Sequence, residues 1–189
     1  MIKLAVKRPE TIFLFSGTPG SGKTSVSQAL LKHFSLGLHL PLDDFREFVG
    51  AGRASIFDWS EETTQQFALA REATVEITVR YLNAGFVVTL DDVVFPAETE
   101  TIYTEPLRTF EIYKVLLLPK LDTVLKRNAE RTNKRFETAA LVETIKNLHQ
   151  TFTGQEHEFR ETGWLVVDSS KLTLEQTVAY ILNSTVNKV

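Results

Sequence analysis

The sequence contains no cysteine, carries no strong basic excess, and has no apolar run long enough to cross a bilayer. Without cysteine, disulfides, thiolate catalysis and cysteine metal sites are excluded, and the chain suits a reducing cytoplasm. A net charge of −3 offers no general basic field, which disfavours binding of long nucleic-acid tracts. The first nine residues are too few and too charged for the apolar region of a signal peptide. We therefore expect a soluble cytoplasmic protein with no membrane partner.

Length and composition are those of an ordinary globular domain. A chain of 189 residues can bury a substantial core, and its hydrophobic and charged fractions of 43% and 24% are typical of soluble proteins. We expect one domain over residues 1–189.

The stretch GTPGSGKT at residues 17–24 fits the Walker A pattern G-x-x-x-x-G-K-[ST] at every fixed position. A β-branched and aromatic run at residues 11–15 precedes it, and apolar residues at helical spacing follow over residues 25–34. This strand–loop–helix context predicts a nucleotide site made by Gly17, Gly20, Ser21, Gly22, Lys23 and Thr24. Backbone N–H groups would cradle the phosphates, Lys23 would reach the β- and γ-phosphates, and Thr24 would ligate Mg²⁺.

Strand and helix patterns alternate along the chain, which predicts an α/β fold with a parallel sheet between two helical layers. Five strands are expected, at residues 11–15, 37–42, 86–90, 112–118 and 164–167. A long helix is predicted after the N-cap Ser60, and a last helix after the capping box of Thr173 and Gln176. Residues 47–60 are predicted as a loop or broken helix, and residues 96–109 as partly helical. The interpretation is a three-layer P-loop NTPase fold with a five-stranded parallel sheet.

Acidic pairs follow the second and third predicted strands, at Asp43-Asp44 and Asp91-Asp92. Ligands of such sheets bind at the carboxyl ends of the strands, so these carboxylates should lie beside the γ-phosphate. Phosphoryl transfer to a hydroxyl needs one carboxylate for the acceptor and another for the metal. We expect one member of each pair to be functional and the other to cap a helix or turn. Asp91 is assigned to the metal and Asp92 to the substrate.

Basic residues recur at helical spacing in the segment 126–135. Arg127 and Arg131 are four apart and share a helix face, with Arg135 one turn further on. In a chain that also carries a phosphate-binding loop, they are expected to clamp the transferring phosphate. The case for this role is weakest for Arg135, for which an ordinary surface charge is the strongest alternative.

Two further arginines, Arg46 and Arg53, are either substrate anchors or ordinary loop charges. The four histidines, among them His39, lack a metal-ligand spacing and are assigned surface or capping roles. Trp59 and Trp164 are interpreted as packing residues, although Trp59 lies in the expected substrate loop.

Taken in order, four motifs resemble those of small P-loop kinases of the nucleotide-kinase branch. They are GTPGSGKT, DDFR after the second strand, VVTLDDVV at the third strand, and LLLP followed by RNAERTNKR. The chain is similar to chloramphenicol phosphotransferase-like and zeta-toxin-like kinases over most of residues 11–183. The resemblance implies that Asp43 is the catalytic base and that Arg46 lies near the acceptor. It also implies a helical lid over about residues 120–137 that carries Arg127 and Arg131, with residues 168–171 beside the adenine.

The function expected from these features is ATP-dependent transfer of the γ-phosphate to a hydroxyl of a small molecule, with Mg²⁺ as the metal. Lys23, Asp43, Arg127 and Arg131 are the expected catalytic residues; Arg46, Arg53 and Asp92 are expected to bind the substrate. The DDFR motif also resembles that of polynucleotide 5′-kinases, and a toxin-type kinase acting on a nucleotide-sugar would use the same chemistry.

A regulatory GTPase is disfavoured by two missing motifs. The guanine-reading motif Asn-Lys-x-Asp is incomplete, because Asn133-Lys134 is followed by Phe at position 136. The switch motif Asp-x-x-Gly is missing, because no Asp has a Gly three residues later. An ABC-type or AAA+ ATPase is disfavoured by the short chain, by the lack of a signature motif and by the lack of an Asp-Glu pair after the third strand. ATP is therefore the expected nucleotide.

Overall fold

The computed structural model of the chain describes residues 10–130 and 141–186. Its centre is a five-stranded parallel sheet in the order β2-β3-β1-β4-β5. The strands span Thr11–Ser16 (β1), Gly37–Pro41 (β2), Val87–Asp91 (β3), Glu111–Leu117 (β4) and Leu165–Val167 (β5). The predicted α/β fold and its parallel sheet are confirmed, and no strand end is shifted by more than one residue.

Helices cover both faces of the sheet. They span Lys23–Leu31 (α1), Leu42–Glu47 (α2), Glu61–Asn83 (α3), Pro96–Thr99 (α4), Leu121–Ala129 (α5), Val142–Gly154 (α6), Glu156–Glu161 (α7) and Leu174–Ser184 (α8). A π-helical turn, Glu100–Thr104, continues from α4. The predicted caps of α3 and α8 are confirmed, because Ser60 accepts a bond from the Thr63 N–H and Thr173 one from the Gln176 N–H.

The alternation of side chains along β1 divides the core into two layers. Ile12 and Leu14 belong to the cluster that packs against α3, α6 and α7. Phe13 and Phe15 belong to the cluster that packs against α1 and α8. All four are fully buried, as expected of a central strand of a parallel sheet.

Strand register brings three chain segments together at one point of the carboxyl edge. In the register, Asp91 at the end of β3 is the partner of Phe15 in β1 and of Pro41 in β2. The glycine-rich loop starts directly after β1, and α2 starts directly after β2. The sheet therefore places the Walker A segment and the Asp43-Asp44 pair on either side of Asp91.

Two short helices depart from the sequence prediction. Asp43 to Arg46 was expected at a strand end, but these residues form the body of α2. Helix α7 was not predicted, because its six residues are too few to establish a periodicity.

In the part of the chain that the structure describes, no helix combines the length and the apolar character that crossing a membrane requires.

Candidate active site

Close packing of the backbone forces glycine at two positions of the loop after β1. Gly17 has φ 142°, and a Cβ there would lie 2.5 Å from the Leu117 carbonyl oxygen. Gly20 has φ 86°, and its Cβ would lie 2.8 Å from the Val124 carbonyl oxygen. A side chain at either position would require a shift of the backbone. The loop therefore wraps tightly against β4 and α5 before it enters α1.

Lys23, Thr24 and Asp91 form a connected group at the start of α1. The Thr24 hydroxyl donates a hydrogen bond to Asp91 Oδ2 at 2.7 Å. Lys23 Nζ lies 3.8 Å from Asp91 Oδ1 and donates to the Gly17 carbonyl oxygen at 2.8 Å. The structure thus brings together the residue expected to contact phosphate and the two expected to hold the metal.

The electrostatic surroundings keep Asp91 ionised. Burial raises the pKa of this carboxyl, but Lys23, His39 and Thr24 together outweigh burial and leave the pKa below its usual value. A hydroxyl beside an ionised carboxylate is the kind of oxygen pair that Mg²⁺ accepts in nucleotide sites. Thr24 and Asp91 therefore fit a magnesium ion that also holds phosphate oxygens. Among the described residues there is no cluster of three or more His, Cys, Asp or Glu side chains that could hold a metal ion.

His39 also lies next to this group, although its sequence predicted a surface or capping role. Its Nε2 lies 3.6 Å from Asp91 Oδ2, and only 10% of the side chain is exposed. The assignment of His39 to a surface or capping role is therefore wrong. The sequence signal that could have placed His39 near the site is its position in β2, two residues before Pro41, which pairs with Asp91.

Asp92 is held by a different set of partners. Arg71 Nε donates to Asp92 Oδ2 at 3.0 Å, Tyr103 Oη donates to the same oxygen at 2.9 Å, and the Val93 N–H donates to Oδ1 at 2.7 Å. These contacts tie α3 and the π-helical turn to the end of β3. Neither Arg71 nor Tyr103 was singled out in the sequence, because both lie far from any recognisable motif.

The pKa values of these groups reflect a buried ion pair. Burial raises the pKa of Asp92, and Arg71 and Tyr103 oppose it only in part. Burial lowers the pKa of Arg71, but Asp92 outweighs that effect and leaves the pKa above its usual value. Burial, and then Asp92, hold the pKa of Tyr103 well above its ordinary value, so the phenol stays protonated and donates.

Arg127 lies against the phosphate-binding loop, as its assignment requires. Its Nη1 donates to the Ser21 carbonyl oxygen at 3.4 Å and to Ser169 Oγ at 3.2 Å. Its Nη2 donates to the Ser169 carbonyl oxygen at 3.1 Å. Arg127 thus bridges the loop and the segment after β5, which was expected beside the adenine. Arg131 and Arg135, and the end of the expected lid, lie outside the described residues.

Helix α2 presents its two predicted functional residues in opposite ways. Asp43, in the first turn, is exposed to solvent, and Arg46, in the last, is 6% exposed. The guanidinium carbon of Arg46 lies 4.2 Å from the ring centroid of Phe67, and Nη2 donates to the Ala54 carbonyl oxygen at 2.9 Å. Its Nε is buried and has no hydrogen-bond partner among the described residues. Burial lowers the pKa of Arg46, and Asp43 acts in the opposite direction.

Residues 48–60, called here the 48–60 loop, connect α2 to α3 and fold back onto both helices. Gln66 of α3 donates to the Gly52 carbonyl oxygen at 2.8 Å and accepts from the Ala54 N–H at 3.0 Å. Thr63 donates to the Ser55 carbonyl oxygen at 2.9 Å. Arg53 pairs with Glu47 at 2.5 Å, with both side chains nearly half exposed. The loop therefore has a fixed course beside Asp43 and Arg46.

Solved structures of P-loop proteins share this architecture. A tunicamycin resistance protein of Deinococcus radiodurans matches with a TM-score of 0.63 at 17% identity, over 93% of this chain and 95% of that one. A proposed kinase of Chloroflexus aurantiacus matches with a TM-score of 0.64 at 18% identity, over 96% of this chain and 98% of that one. Shikimate kinase of Acinetobacter baumannii, solved with shikimate, matches with a TM-score of 0.59 at 18% identity, over 100% of this chain and 99% of that one. At these identities the matches establish the fold alone.

Fold and loop together define a small P-loop protein of the nucleotide-kinase-like class. Residues 12–154 match the model of a family described as an AAA domain. Because that match covers more than half of the sequence, the chain belongs to this family. The name of this family contrasts with the expectation from the sequence, which disfavoured an AAA+ ATPase. The match identifies the family of the chain and does not identify its reaction. The comparison with curated proteins found no match.

Proposed function

We propose that the protein is an ATP-dependent phosphotransferase that moves the γ-phosphate onto an alcohol hydroxyl of a small molecule. The observation that carries this proposal is the register of β2 and β3. With Pro41 paired to Asp91, α2 begins directly beside the Thr24–Asp91 pair. This register supports a position for the exposed carboxylate of Asp43 near the predicted phosphate and metal site.

The donor side would bind Mg·ATP through the glycine-rich loop. Backbone N–H groups of Gly20, Ser21 and Gly22 would face the phosphates, and Lys23 would neutralise the charge that spreads over the γ-phosphate during transfer. Thr24 and Asp91 would hold the magnesium ion, which supplies charge neutralisation and orients the phosphate oxygens.

On the acceptor side, Asp43 would act as the base. Its carboxylate accepts the proton of the acceptor hydroxyl as that oxygen bonds to the γ-phosphorus. The bond from the γ-phosphorus to the β–γ bridging oxygen breaks, and ADP leaves with that electron pair. Arg46, Arg53 and Asp92 would position the acceptor.

Arg127 and Arg131 would stabilise the charge of the phosphate in transit, on a lid over about residues 120–137 within one kinase domain of residues 1–189. The position of Arg127 against Ser21 supports this role, because the guanidinium already lies at the loop that would hold the phosphates. Closure of such a lid would exclude water and limit hydrolysis.

The direct test compares Asp43→Asn with Asp44→Asn, since the two carboxylates are adjacent and both exposed. Transfer from Mg·ATP would be screened over sugars, aryl alcohols, nucleosides and a 5′-hydroxyl oligonucleotide. We expect Asp43→Asn to lower transfer about 100-fold or more while ATP binding is retained, because only the base is lost. Asp44→Asn should transfer normally. Normal transfer by Asp43→Asn would contradict the base assignment, and labelling of the oligonucleotide alone would favour the polynucleotide 5′-kinase alternative.

A further inference from the structure

Large apolar side chains are exposed in the 48–60 loop. The exposed fractions are 76% for Phe48, 37% for Ile56, 55% for Phe57 and 62% for Trp59. Exposed apolar residues scattered singly are normal in proteins, but four within twelve residues beside a predicted active site indicate a binding surface.

Trp59 has the geometry of a stacking platform. One face of its indole stacks on Phe67, with centroids 5.1 Å apart and planes at 15°. The indole N–H is satisfied by Thr64 Oγ1 at 2.9 Å, which fixes the orientation of the ring. Since Phe67 covers one face while most of the residue is exposed, the opposite face is open to a planar partner.

This platform is continuous with the predicted acceptor site. Phe67 contacts both Trp59 and the guanidinium of Arg46, which is one helical turn from Asp43. Asp43 and Trp59 are thus connected through the buried Arg46 and the ring of Phe67.

The platform is also preformed. Arg46, Gln66 and Thr63 bind backbone groups of the 48–60 loop at Gly52, Ala54 and Ser55. A ligand that stacks on Trp59 therefore does not have to order the loop first, which lowers the entropic cost of binding.

We propose that the phosphoryl acceptor carries a planar aromatic or heteroaromatic ring that stacks on the open face of Trp59 while its hydroxyl lies at Asp43. This inference rests on the proposed phosphotransferase function and specifies its substrate class. A non-aromatic polyol would leave the indole face and the neighbouring apolar side chains in contact with water. Aryl alcohols and nucleosides share the required ring, and the experiment distinguishes them.

The test measures transfer from Mg·ATP to 4-nitrobenzyl alcohol, uridine and myo-inositol by the wild type, Trp59→Ala, Trp59→Phe and Tyr180→Ala. Tyr180 is an exposed aromatic residue on α8, across the sheet, and serves as the matched control. We expect transfer to a ring-bearing acceptor, with KM for that acceptor raised at least about 5-fold by Trp59→Ala and a smaller change in kcat. Trp59→Phe should largely restore KM, and Tyr180→Ala should have no effect. The preferred ring-bearing compound identifies the source as aryl alcohol or nucleoside.

A second readout does not depend on turnover. Trp59 and the buried Trp164 are the two tryptophans of the chain, so a stacked ring should change the emission of Trp59. Titration with the ring-bearing acceptor should alter emission in the wild type but not in Trp59→Phe, with equal ATP binding in both proteins confirming the fold.

Three results would overturn the inference. If myo-inositol is the preferred acceptor and Trp59→Ala leaves its KM unchanged, the substrate class is wrong while the phosphotransferase function stands. If Trp59→Ala alters the sedimentation coefficient and not KM, the surface is an interface between copies of the chain. If ATP binds but none of the screened alcohols is phosphorylated, the proposed function fails and this inference fails with it.

Discussion

The donor side and the acceptor side of the candidate site are built in different ways. On the donor side, Lys23, Thr24 and Asp91 are bound to one another or to the loop backbone, and Asp91 is only 7% exposed. On the acceptor side, Asp43 is exposed and the nearby 48–60 loop presents apolar side chains to solvent. The first arrangement suits a ligand common to many enzymes, and the second suits a ligand particular to one.

The contrast has a physical origin. Phosphate binding needs converging backbone N–H groups, which only a tight loop with glycine at strained positions can provide. Acceptor recognition needs side chains of chosen shape, and a connecting loop can change these without disturbing the sheet. Each of the following predictions tests one side of this contrast.

The largest effect is expected from Lys23→Ala on the donor side. Loss of the ammonium group beside the predicted γ-phosphate should lower transfer about 100- to 1000-fold, because charge in the transition state is no longer neutralised. Transfer rates at saturating Mg·ATP measure this. Lys32→Ala, at the other end of α1, is the control and should behave like the wild type. A Lys23→Ala variant with nearly full activity would contradict the donor assignment.

Asp92→Asn should lower stability in addition to any effect on binding of the acceptor. Removal of the charge leaves Arg71 without its ionic partner, and the free energy of unfolding should fall by about 2 to 4 kcal/mol. Urea denaturation measures the loss, with the exposed Asp44→Asn as the control. If Asp92→Asn is as stable as the wild type but fails to bind the acceptor, its primary role is in substrate binding.

The pH dependence of stability should identify Asp91 as an ionised group of the folded state. Because its pKa is lowered on folding, its contribution to stability is present above the unfolded-state value of about 4. That contribution is lost as the pH falls through the lower folded-state pKa. Urea midpoints of the wild type and Asp91→Asn should therefore converge as the pH falls below about 4. A difference that stays constant as the pH falls well below about 4 would show that the carboxylate is not stabilised by Lys23 and Thr24.

The smallest effect is expected from Arg53→Ala on the acceptor side. Its ion pair with Glu47 is nearly half exposed on both members, so the free energy of unfolding should change by less than about 1 kcal/mol. Glu47→Gln should have an effect of the same small size. A clear increase in the KM of the acceptor with unchanged stability would support Arg53 as a substrate anchor, and an unchanged KM would mark it as a loop charge.

Sequence reasoning predicted the donor side more completely than the acceptor side. Walker A spacing and the strand before it locate Lys23 and Thr24, and the parallel sheet implies the approach of Asp91. The pairing of Arg71 with Asp92 spans 21 residues and depends on how α3 packs on β3, so no local pattern signals it. His39 was misassigned for the same reason, because its contact with Asp91 arises from the pairing of β2 with β3.

The prediction of α2 failed for a different reason. Its six residues are too short for a hydrophobic period, and the adjoining Asp-Asp pair resembles a turn. The cap of α3 could be predicted, because Ser60 precedes two glutamates at the start of a long helix. Local signals thus located where helices begin, and tertiary packing determined which side chains face the site.

Gln66 gives the 48–60 loop a property useful for redesign. One amide side chain holds the backbone at Gly52 and Ala54, and these bonds do not involve the side chains of Ile56, Phe57 or Trp59. Varying these side chains in a library would therefore leave the Gln66 bonds in place, while replacement of Trp59 would also remove its contacts with Phe67 and Thr64. Selection from such a library would measure how far the loop alone sets the acceptor of the proposed phosphoryl-transfer centre.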